Sequence, residues 1–114
     1  MIKVSVFDNY DVIRSIVPDA DEFIRIAWAQ ENMNSAGYCV FKTDGEIISV
    51  EDKDNIFELL IRATLNSLDL SGIKTGFTKN TGLFPELIKL GFEEKNGVAE
   101  VDIKKFFKPC CHCK

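Results

Sequence analysis

Residues 80–92 read Asn-Thr-Gly-Leu-Phe-Pro-Glu-Leu-Ile-Lys-Leu-Gly-Phe, and they carry the clearest helix start and stop signals in the chain. Proline is favoured in the first turn of a helix, where its missing N–H is not needed, and glycine is favoured just after the last turn. Pro85 and Gly91 therefore predict a short helix from Leu83 to Leu90. Asn80 precedes this helix, and Phe92 follows it directly.

Hydrophobic spacing and turn residues predict the elements around this helix. After it comes a hairpin that turns at an Asn-Gly pair, which tolerates positive φ. Before it come a strand, a long amphipathic helix that stops at a glycine, and an earlier hairpin that turns at Asp-Gly. In chain order, these predicted segments are the strands Tyr38–Phe41 and Glu46–Val50, the helix Ile56–Leu68, the strand Ile73–Thr78, and the strands Phe92–Glu94 and Val98–Ile103.

The first third of the chain predicts a strand at Ile2–Phe7 and then two consecutive helices. The first helix follows from the helical spacing of apolar residues between Val12 and Val17. The second would begin at Pro18-Asp19 and end near Ala36-Gly37, with Phe23, Ile24, Ala27 and Trp28 on one face. The predicted order is β-α-α-β-β-α-β-α-β-β, an α/β domain over residues 1–103 with helices on both faces of a mixed sheet. Residues 104–114 would form a separate tail.

The 114 residues carry a formal net charge of -4 and a pI of about 5.0. An acidic surface repels phosphate backbones, so nucleic acid is not the expected partner. No apolar run reaches the roughly 18 residues that a membrane span needs. The first residues also lack the pattern of a signal peptide, so the expected location is the cytoplasm, where cysteines stay reduced.

The element order and residues 80–92 resemble the GCN5-related N-acetyltransferase (GNAT) family, in which an asparagine follows a strand and Leu-Gly-Phe closes a short helix. The resemblance covers the element order from Tyr38 to Ile103 and the residue pattern from Asn80 to Phe92. It implies transfer of an acyl group from acetyl-CoA to the amine of a small molecule or peptide. It further implies that the strands Glu46–Val50 and Ile73–Thr78 part at one end and leave a slot.

The same resemblance implies roles for individual residues. It places a general base at Glu46 or Glu51, which flank the first strand of the slot. It also allows a homodimer, in which short sheets complete one another by pairing. It places six residues beside the cofactor, which are Val50, Lys53, Asp54, Asn55, Ile56 and Asn80. The loop residues among them would contact the cofactor through their backbone amides.

The chain departs from the family at two positions. The family loop, Gln/Arg-x-x-Gly-x-Gly/Ala, cradles a pyrophosphate on backbone amides at a helix N-terminus. Residues 51–56 read Glu-Asp-Lys-Asp-Asn-Ile instead, without glycine and with three carboxylates. Those acids suit a second interpretation, in which they cap the helix against its dipole. The family's general acid is a tyrosine in the short helix, where this chain has Leu87, so Tyr38 or Tyr10 would have to substitute for it.

The tail is rich in metal-binding residue types, since Cys110, Cys111, His112 and Cys113 are consecutive. Thiolates and imidazole are ligands of zinc, and Cys110 and Cys113 have the Cys-x2-Cys spacing of zinc and redox sites. A zinc site of Cys110, His112 and Cys113 would need a further ligand from Cys39 or a second subunit. Cys39 itself is predicted to be a small buried hydrophobic residue.

These features leave two functions open. The chain is either an acyl-CoA-dependent N-acetyltransferase that has lost some of the family's usual residues, or a non-catalytic descendant of that fold. In the second case it would bind a partner or act as a sensor, with a Cys/His tail that responds to metal or redox state. A fold does not establish a chemistry, so the site decides between them.

Overall fold

The computed structural model describes residues 2–53 and 55–107 of the chain. Seven strands and four helices follow one another within these residues. A short 3-10 turn, Thr81–Leu83, precedes the third helix. In chain order the elements are β1 (Lys3–Phe7), α1 (Tyr10–Ile16), β2 (Ile24–Glu31), β3 (Asn34–Lys42), β4 (Ile47–Asp52), α2 (Phe57–Leu70), β5 (Thr75–Thr78), α3 (Phe84–Lys89), β6 (Glu93–Lys95), β7 (Val98–Asp102) and α4 (Ile103–Phe107).

The strands form two antiparallel sheets that meet at one parallel bridge. The first sheet has the order β1-β2-β3-β4, and the second has the order β5-β7-β6. Glu46, just before β4, pairs in parallel with Phe77 of β5. This bridge joins the two sheets into a mixed arrangement, as the sequence predicted.

Helices cover both faces of the first sheet because its strands alternate their side chains between two apolar layers. The long helix α2 packs its buried face, which includes Leu60, Ile61 and Leu65, against one layer of the sheet and against the second sheet. On the opposite face, Ile13 of α1 packs against a smaller cluster that includes Ile26. The prediction of an α/β domain with helices on both faces is therefore confirmed.

The predicted second helix from Pro18 to Ala36 is wrong, because residues 24–31 form β2. The segment is rich in alanine and contains glutamine and glutamate, which favour helices, and its apolar residues also fit a helical spacing. An alternating pattern was present as well, since buried Ile24 and Ile26 face the α1 side and buried Ala27 and Ala29 face α2. Pairing with β1 and β3 on both sides decides in favour of the strand.

A two-residue turn joins β2 to β3 and was missed in the sequence. Asn32 and Met33 have φ values of 51° and 70°, which is the backbone of a tight hairpin turn. Glycine is the usual residue at the second position of such a turn, and Met33 gives no such signal. The hairpin therefore depends on the strands that it joins rather than on its turn residues.

The first residues of the predicted tail, 104–107, continue the helix that starts at Ile103, the last residue of the predicted domain, and Phe106 and Phe107 pack against the main core cluster. Ile103 of α4 is fully buried, and the rings of Phe106 and Phe107 meet edge to face, with their centroids 5.1 Å apart. The guanidinium of Arg62 on α2 lies 5.7 Å from one ring centroid and 5.6 Å from the other. A cation held above two aromatic rings adds to the apolar contact, so α4 is attached to α2.

Cys39 is fully buried in the core of the first sheet, which confirms the interpretation of this residue as a small hydrophobic side chain. Burial raises the pKa of its thiol to about 12, and the neighbouring Thr64 hydroxyl lowers that pKa by a smaller amount. Thr64 Oγ1 is itself buried and has no hydrogen-bond partner of ordinary geometry among the described residues, so its contact with the thiol is a loose one.

We expect Cys39 to resist alkylation in the folded chain at about pH 8, because the reactive thiolate is not populated there. The raised pKa also means that this thiol contributes stability below its unfolded pKa of 9.0, and that the contribution is lost as the pH rises toward 12. Mass spectrometry of the peptide containing Cys39, after labelling with and without urea, measures the reactivity. Rapid labelling of the native chain would contradict the burial.

Candidate functional site

The strands β4 and β5 are joined at one end by backbone contact. The N–H of Phe77 donates to the carbonyl of Gly45, at 3.0 Å. Gly45 has a φ of +110°, and a Cβ added to it would lie 2.4 Å from the carbonyl oxygen of Thr75. Only glycine permits this approach, so the Asp-Gly turn between β3 and β4 also closes one end of the space between β4 and β5.

Beyond this contact, side chains replace the backbone hydrogen bonds between the two strands. The hydroxyl of Thr78, which is fully buried, donates to the carbonyl of Ile47, at 2.7 Å. One residue further along β4, a longer side chain makes the bond: Nδ2 of Asn80 donates to the carbonyl of Ile48, at 3.1 Å. A side chain inserted between two strands holds them further apart than direct pairing does. The strands therefore diverge in the direction of the chain, as the resemblance to the GNAT family implied.

The side chains of Thr78 and Asn80 are themselves fixed by local bonds. The N–H of Asn80 donates to Thr78 Oγ1, at 3.0 Å, and Asn80 Oδ1 accepts from the N–H of Gly82, also at 3.0 Å. Asn80 thus caps the 3-10 turn that leads into α3 and spans the gap to β4 with the same side chain. We call Thr78 and Asn80 the spacer pair.

A bulge in β4 contributes to the divergence. Val40 of β3 pairs with Ser49, and Phe41 pairs with Ile47, so that Ile48 is an extra residue in β4. A bulge bends the strand that carries it. It lies directly after the bridge at Glu46, which is where β4 begins to leave β5.

The far part of β4 presents an open backbone edge. The N–H of Lys53 donates to the carbonyl of Ala36, at 3.1 Å. Residues in an antiparallel ladder alternate, so Glu51 and Ser49 bond to β3 in the same way, while the N–H and carbonyl groups of Val50 and Asp52 face away from β3. We call this edge, between the spacer pair and the start of α2, the slot.

The start of α2 lies at the open end of the slot, and the carboxylate of Asp52 lies beside it. The carboxylate of Asp52 accepts from the N–H of Ile56, at 2.8 Å, and Asn55 has a φ of 60°. Lys53 and Asn55 are exposed, whereas Ile56 is buried. Asp54 lies outside the described residues. The carboxylate of Asp52 thus bonds to the backbone of the residue that directly precedes α2.

The two candidate bases lie at different places along β4. Glu46 is half-buried at the joined end, beside the bridge to Phe77. Glu51 is exposed near the open end, opposite Tyr38 of β3. At about 3.3 Å per residue, they are roughly 16 Å apart along the strand, so they belong to two separate candidate positions.

Neither tyrosine occupies the position of Leu87. Leu87 is fully buried in the core of the domain and has no proton to donate. The hydroxyl of Tyr10 donates to the carbonyl of Ala20, at 2.9 Å, on the α1 side of the sheet. Tyr38 is the tyrosine nearer to the slot, because it pairs with Glu51.

Metal binding is not established within the described part of the chain. No three side chains of His, Cys, Asp or Glu among residues 2–53 and 55–107 are placed to hold a metal ion. The candidate ligands Cys110, His112 and Cys113 lie outside those residues, so the zinc site stays a prediction. Among the described residues, no helix is both long and apolar enough to cross a membrane.

Comparison with known proteins identifies the fold. No protein-family model and no curated protein matches the sequence. Among solved structures, a protein from Desulfovibrio desulfuricans assigned to the GNAT family of acetyltransferases superposes with a TM-score of 0.72 at 12% identity, over 90% of this chain and 99% of that one. The ribosomal-protein-S18-alanine N-acetyltransferase from Escherichia coli gives 0.65 at 12% identity, over 90% and 94%.

A third similar structure is the PaiA N-acetyltransferase from Thermoplasma acidophilum in complex with coenzyme A, with a TM-score of 0.60 at 16% identity. It covers 81% of this chain and 67% of its own. At these identities the likeness establishes the fold. The prediction of the GNAT fold is therefore confirmed.

Proposed function

We propose that the chain is an acyl-CoA-dependent N-acyltransferase that takes acetyl-CoA as donor and the amine of a small molecule or peptide as acceptor. The observation that carries this proposal is the slot, where β4 parts from β5 and leaves the backbone groups of Val50 and Asp52 facing an open edge. Support comes from the fold, since a protein of the same fold is found in complex with coenzyme A.

The open edge suits the pantetheine arm of acetyl-CoA. That arm is a narrow chain with two amide groups, and an extended chain can add to a sheet edge through backbone hydrogen bonds. Asp52 would supply its N–H and its carbonyl to the arm, and Val50 would supply its carbonyl. The spacer pair keeps β5 from closing over this edge, and its Asn80 lies beside the arm. Lys53, Asp54, Asn55 and Ile56 would then lie toward the phosphate end of the donor.

The reaction needs a base and an oxyanion donor. The amine nitrogen attacks the thioester carbonyl, and the N–H of Val50 would donate to the oxyanion that forms. The carboxylate of Glu46 or Glu51 takes the amine proton, directly or through water. The C–S bond then breaks and the thiolate leaves. Because Leu87 supplies no proton, the thiolate takes one from solvent. A thiol with an ordinary pKa near 8.5 can leave as the thiolate, so no protein acid is required.

A non-catalytic binding or sensor role is the second candidate. The buried Leu87 and the carboxylate of Asp52 at the start of α2 favour it, because both remove features that the family uses for catalysis and cofactor binding. The Cys/His tail would then carry the response to metal or redox state.

Thermal unfolding with and without acetyl-CoA tests the first candidate. A ligand at a hundred times its dissociation constant adds about 2.7 kcal/mol to the stability of the state that it binds, which a melting curve resolves. Val50→Pro is the matched variant, because it removes an N–H that faces the slot and leaves the ladder to β3. We expect the shift in the wild-type chain and its loss in the variant. Equal shifts in both would contradict this use of the slot.

A second measurement concerns catalysis. The release of free coenzyme A in the presence of a panel of primary amines reports turnover, with Glu46→Gln and Glu51→Gln separating the two candidate bases. Zinc replaces acetyl-CoA in a parallel melt under reducing conditions. A shift with zinc alone, lost in Cys110→Ser, would favour the sensor role over the enzyme.

A further inference from the structure

One row of side chains crosses all four strands of the first sheet. Trp28 of β2 pairs with Ser5 of β1. On its other side Trp28 pairs with Tyr38 of β3, which in turn pairs with Glu51 of β4. Directly paired residues point to the same face of a sheet. Trp28 and Tyr38 both pack against the cluster that contains Ile13 of α1, so the four side chains lie on the α1 face. We call these four residues the cross-strand row.

The aromatic side chains of this row are partly open to solvent. In the neighbouring row, which packs with α1, Ile26 and Val40 are 0% and 3% exposed. Trp28 and Tyr38 are half-buried instead, and Glu51 is exposed. The centroids of the two aromatic rings lie 6.5 Å apart, edge to face. The row therefore offers a ligand two adjacent rings that end at a carboxylate.

The ring of Trp28 is fixed from two sides. Its indole N–H donates to Oγ of Ser35, at 2.9 Å. Its ring also meets that of Phe7 edge to face, with the centroids 5.9 Å apart. A ring that is already fixed loses little conformational freedom when a ligand packs on it. Because its N–H is bonded within the chain, Trp28 offers apolar ring surface to a ligand.

The β4 end of the row lies at the slot. Glu51 stands between Val50 and Asp52, whose backbone groups face the slot, and its side chain is on the α1 face. The side chain of Val50 packs on the other face, against the cluster that includes Leu60 of α2. Helix α2 thus occupies that side of β4. An acceptor that reaches a thioester beside Val50 therefore approaches over the α1 face, along the cross-strand row.

We propose that the cross-strand row binds the acceptor, and that this acceptor is a primary amine that carries an aromatic ring. Its ammonium group pairs with the carboxylate of Glu51, and its ring packs on Tyr38 and Trp28. Neighbouring strands are about 4.8 Å apart, so the two rings lie about 5–10 Å across the sheet from Glu51. That is the reach of an arylalkylamine, or of a peptide N-terminus with an aromatic first side chain. This inference rests on the proposed function and deepens it by naming the acceptor class.

The charges at the two ends of the row favour a ring over a second ammonium group. Lys3 lies two residues from Ser5, on the same face of β1, so it places a positive charge at the end of the row away from β4. The carboxylate of Glu51, at the other end, is used by the first ammonium group. A linear diamine would bring its second charge toward Lys3, whereas an uncharged ring meets only Tyr38 and Trp28.

Trp28 is the one tryptophan of the chain, so its fluorescence reports on the row directly. Titration of the full chain with phenethylamine, propylamine and diaminobutane tests the proposal without requiring turnover. We expect a saturable change with phenethylamine, at a dissociation constant at least about tenfold lower than that of either other amine. Equal dissociation constants for the three amines, or no saturable change with phenethylamine, would overturn the proposal.

Three substitutions locate the effect on the ring of Tyr38. Tyr38→Thr removes the ring and keeps a residue that suits a strand, whereas Tyr38→Phe keeps the ring. Phe23→Thr removes another aromatic ring, which is 53% exposed and directly precedes β2. We expect the preference for phenethylamine over propylamine to be lost in Tyr38→Thr and kept in the other two variants. A preference that survives Tyr38→Thr would contradict the role of the ring.

Glu51→Gln tests the other end of the row at an exposed position, and it serves also if Tyr38→Thr fails to fold in a melting curve. We expect it to weaken phenethylamine and propylamine alike, by about two- to fivefold, because both carry the ammonium group that pairs with Glu51. The ratio between the two amines should stay as in the wild-type chain. Unchanged affinity for both amines would contradict the pairing.

The outcomes separate this inference from the function on which it rests. If acetyl-CoA shifts the melting curve and amines release coenzyme A without preference for phenethylamine, the proposed function stands and this inference is wrong. If phenethylamine binds in a way that depends on Tyr38 while acetyl-CoA neither binds nor is consumed, the row binds aromatic amines and the proposed function is wrong.

Discussion

Replacing Gly45 with alanine is expected to destabilise the chain by about 3 kcal/mol or more, because two costs add at this position. The φ of +110° is unfavourable for any residue with a Cβ, and that Cβ would lie 2.4 Å from the backbone carbonyl of Thr75. Neither group can turn away, since the backbone fixes the position of the Cβ and the carbonyl of Thr75 is main chain. The chain would have to pull β5 away from the turn and break the bond from Phe77 to Gly45.

Gly91 provides the matched control for this substitution. Its φ is +112°, nearly the same, but nothing lies within 4 Å of the position that a Cβ would take. Gly91→Ala therefore measures the cost of the left-handed backbone alone, which is about 1–2 kcal/mol. Urea denaturation of both variants gives the difference. Equal losses of stability would show that Gly45 does not hold the turn against β5.

The closed end of the slot depends on the same contact, so Gly45→Ala should also weaken donor binding. The bridge at Glu46 and Phe77 is where the two sheets join, and the spacer pair begins one residue beyond it. If the bridge opens, Thr78 and Asn80 no longer face the carbonyls of β4 at bonding distance. We expect the melting shift with acetyl-CoA to be lost in Gly45→Ala and kept in Gly91→Ala.

Local signals in the sequence predicted most of the fold. Pro85 and Gly91 predicted the two ends of the short helix, and the structure has α3 at Phe84–Lys89, with Pro85 in its first turn. The Asp-Gly turn at residues 44–45 likewise predicted the β3–β4 hairpin. These signals act within a few residues, so they can be read without knowing the rest of the chain.

The prediction of a helix over the residues of β2 was wrong because the contacts that decide its structure are not local. Residues 24–31 carry helix-favouring alanine, glutamine and glutamate together with an alternating apolar pattern. Local preference alone could not choose between the two, because the choice is made by pairing with β1 and β3. Such pairing involves residues that are far apart in the chain.

In the candidate site, too, local features were predicted from the sequence and a long-range contact was missed. The acids of residues 51–54 were expected near the start of α2 because they directly precede it in the chain, and Asp52 does bond to Ile56, four residues away. Asn80 was recognised through the family pattern around it. Thr78 was missed, since it looks like the end of an ordinary strand and its partner Ile47 is 31 residues distant. Only the folded chain shows that this hydroxyl bridges two strands.

Thr78→Val is the second substitution for which we expect a large effect. Valine has the same shape and also suits a strand, so the packing around residue 78 is kept while the hydroxyl is lost. Two backbone groups then lose a partner, the carbonyl of Ile47 and the N–H of Asn80. Leaving the buried carbonyl of Ile47 unpaired costs about 1–3 kcal/mol, whereas the N–H of the exposed Asn80 can bond to water, so we expect a loss of about 1–3 kcal/mol.

Thr75→Val is the control, because it makes the same chemical change on the same strand at an exposed position. Its effect should lie within about 0.5 kcal/mol of zero. Urea denaturation measures both variants, and titration with the donor then measures the slot. If Thr78 contributes only packing, valine will replace it without loss, and the two variants will have the same stability and the same donor affinity. If its hydroxyl sets the distance between β4 and β5, Thr78→Val will lose both stability and donor affinity, and Thr75→Val will lose neither.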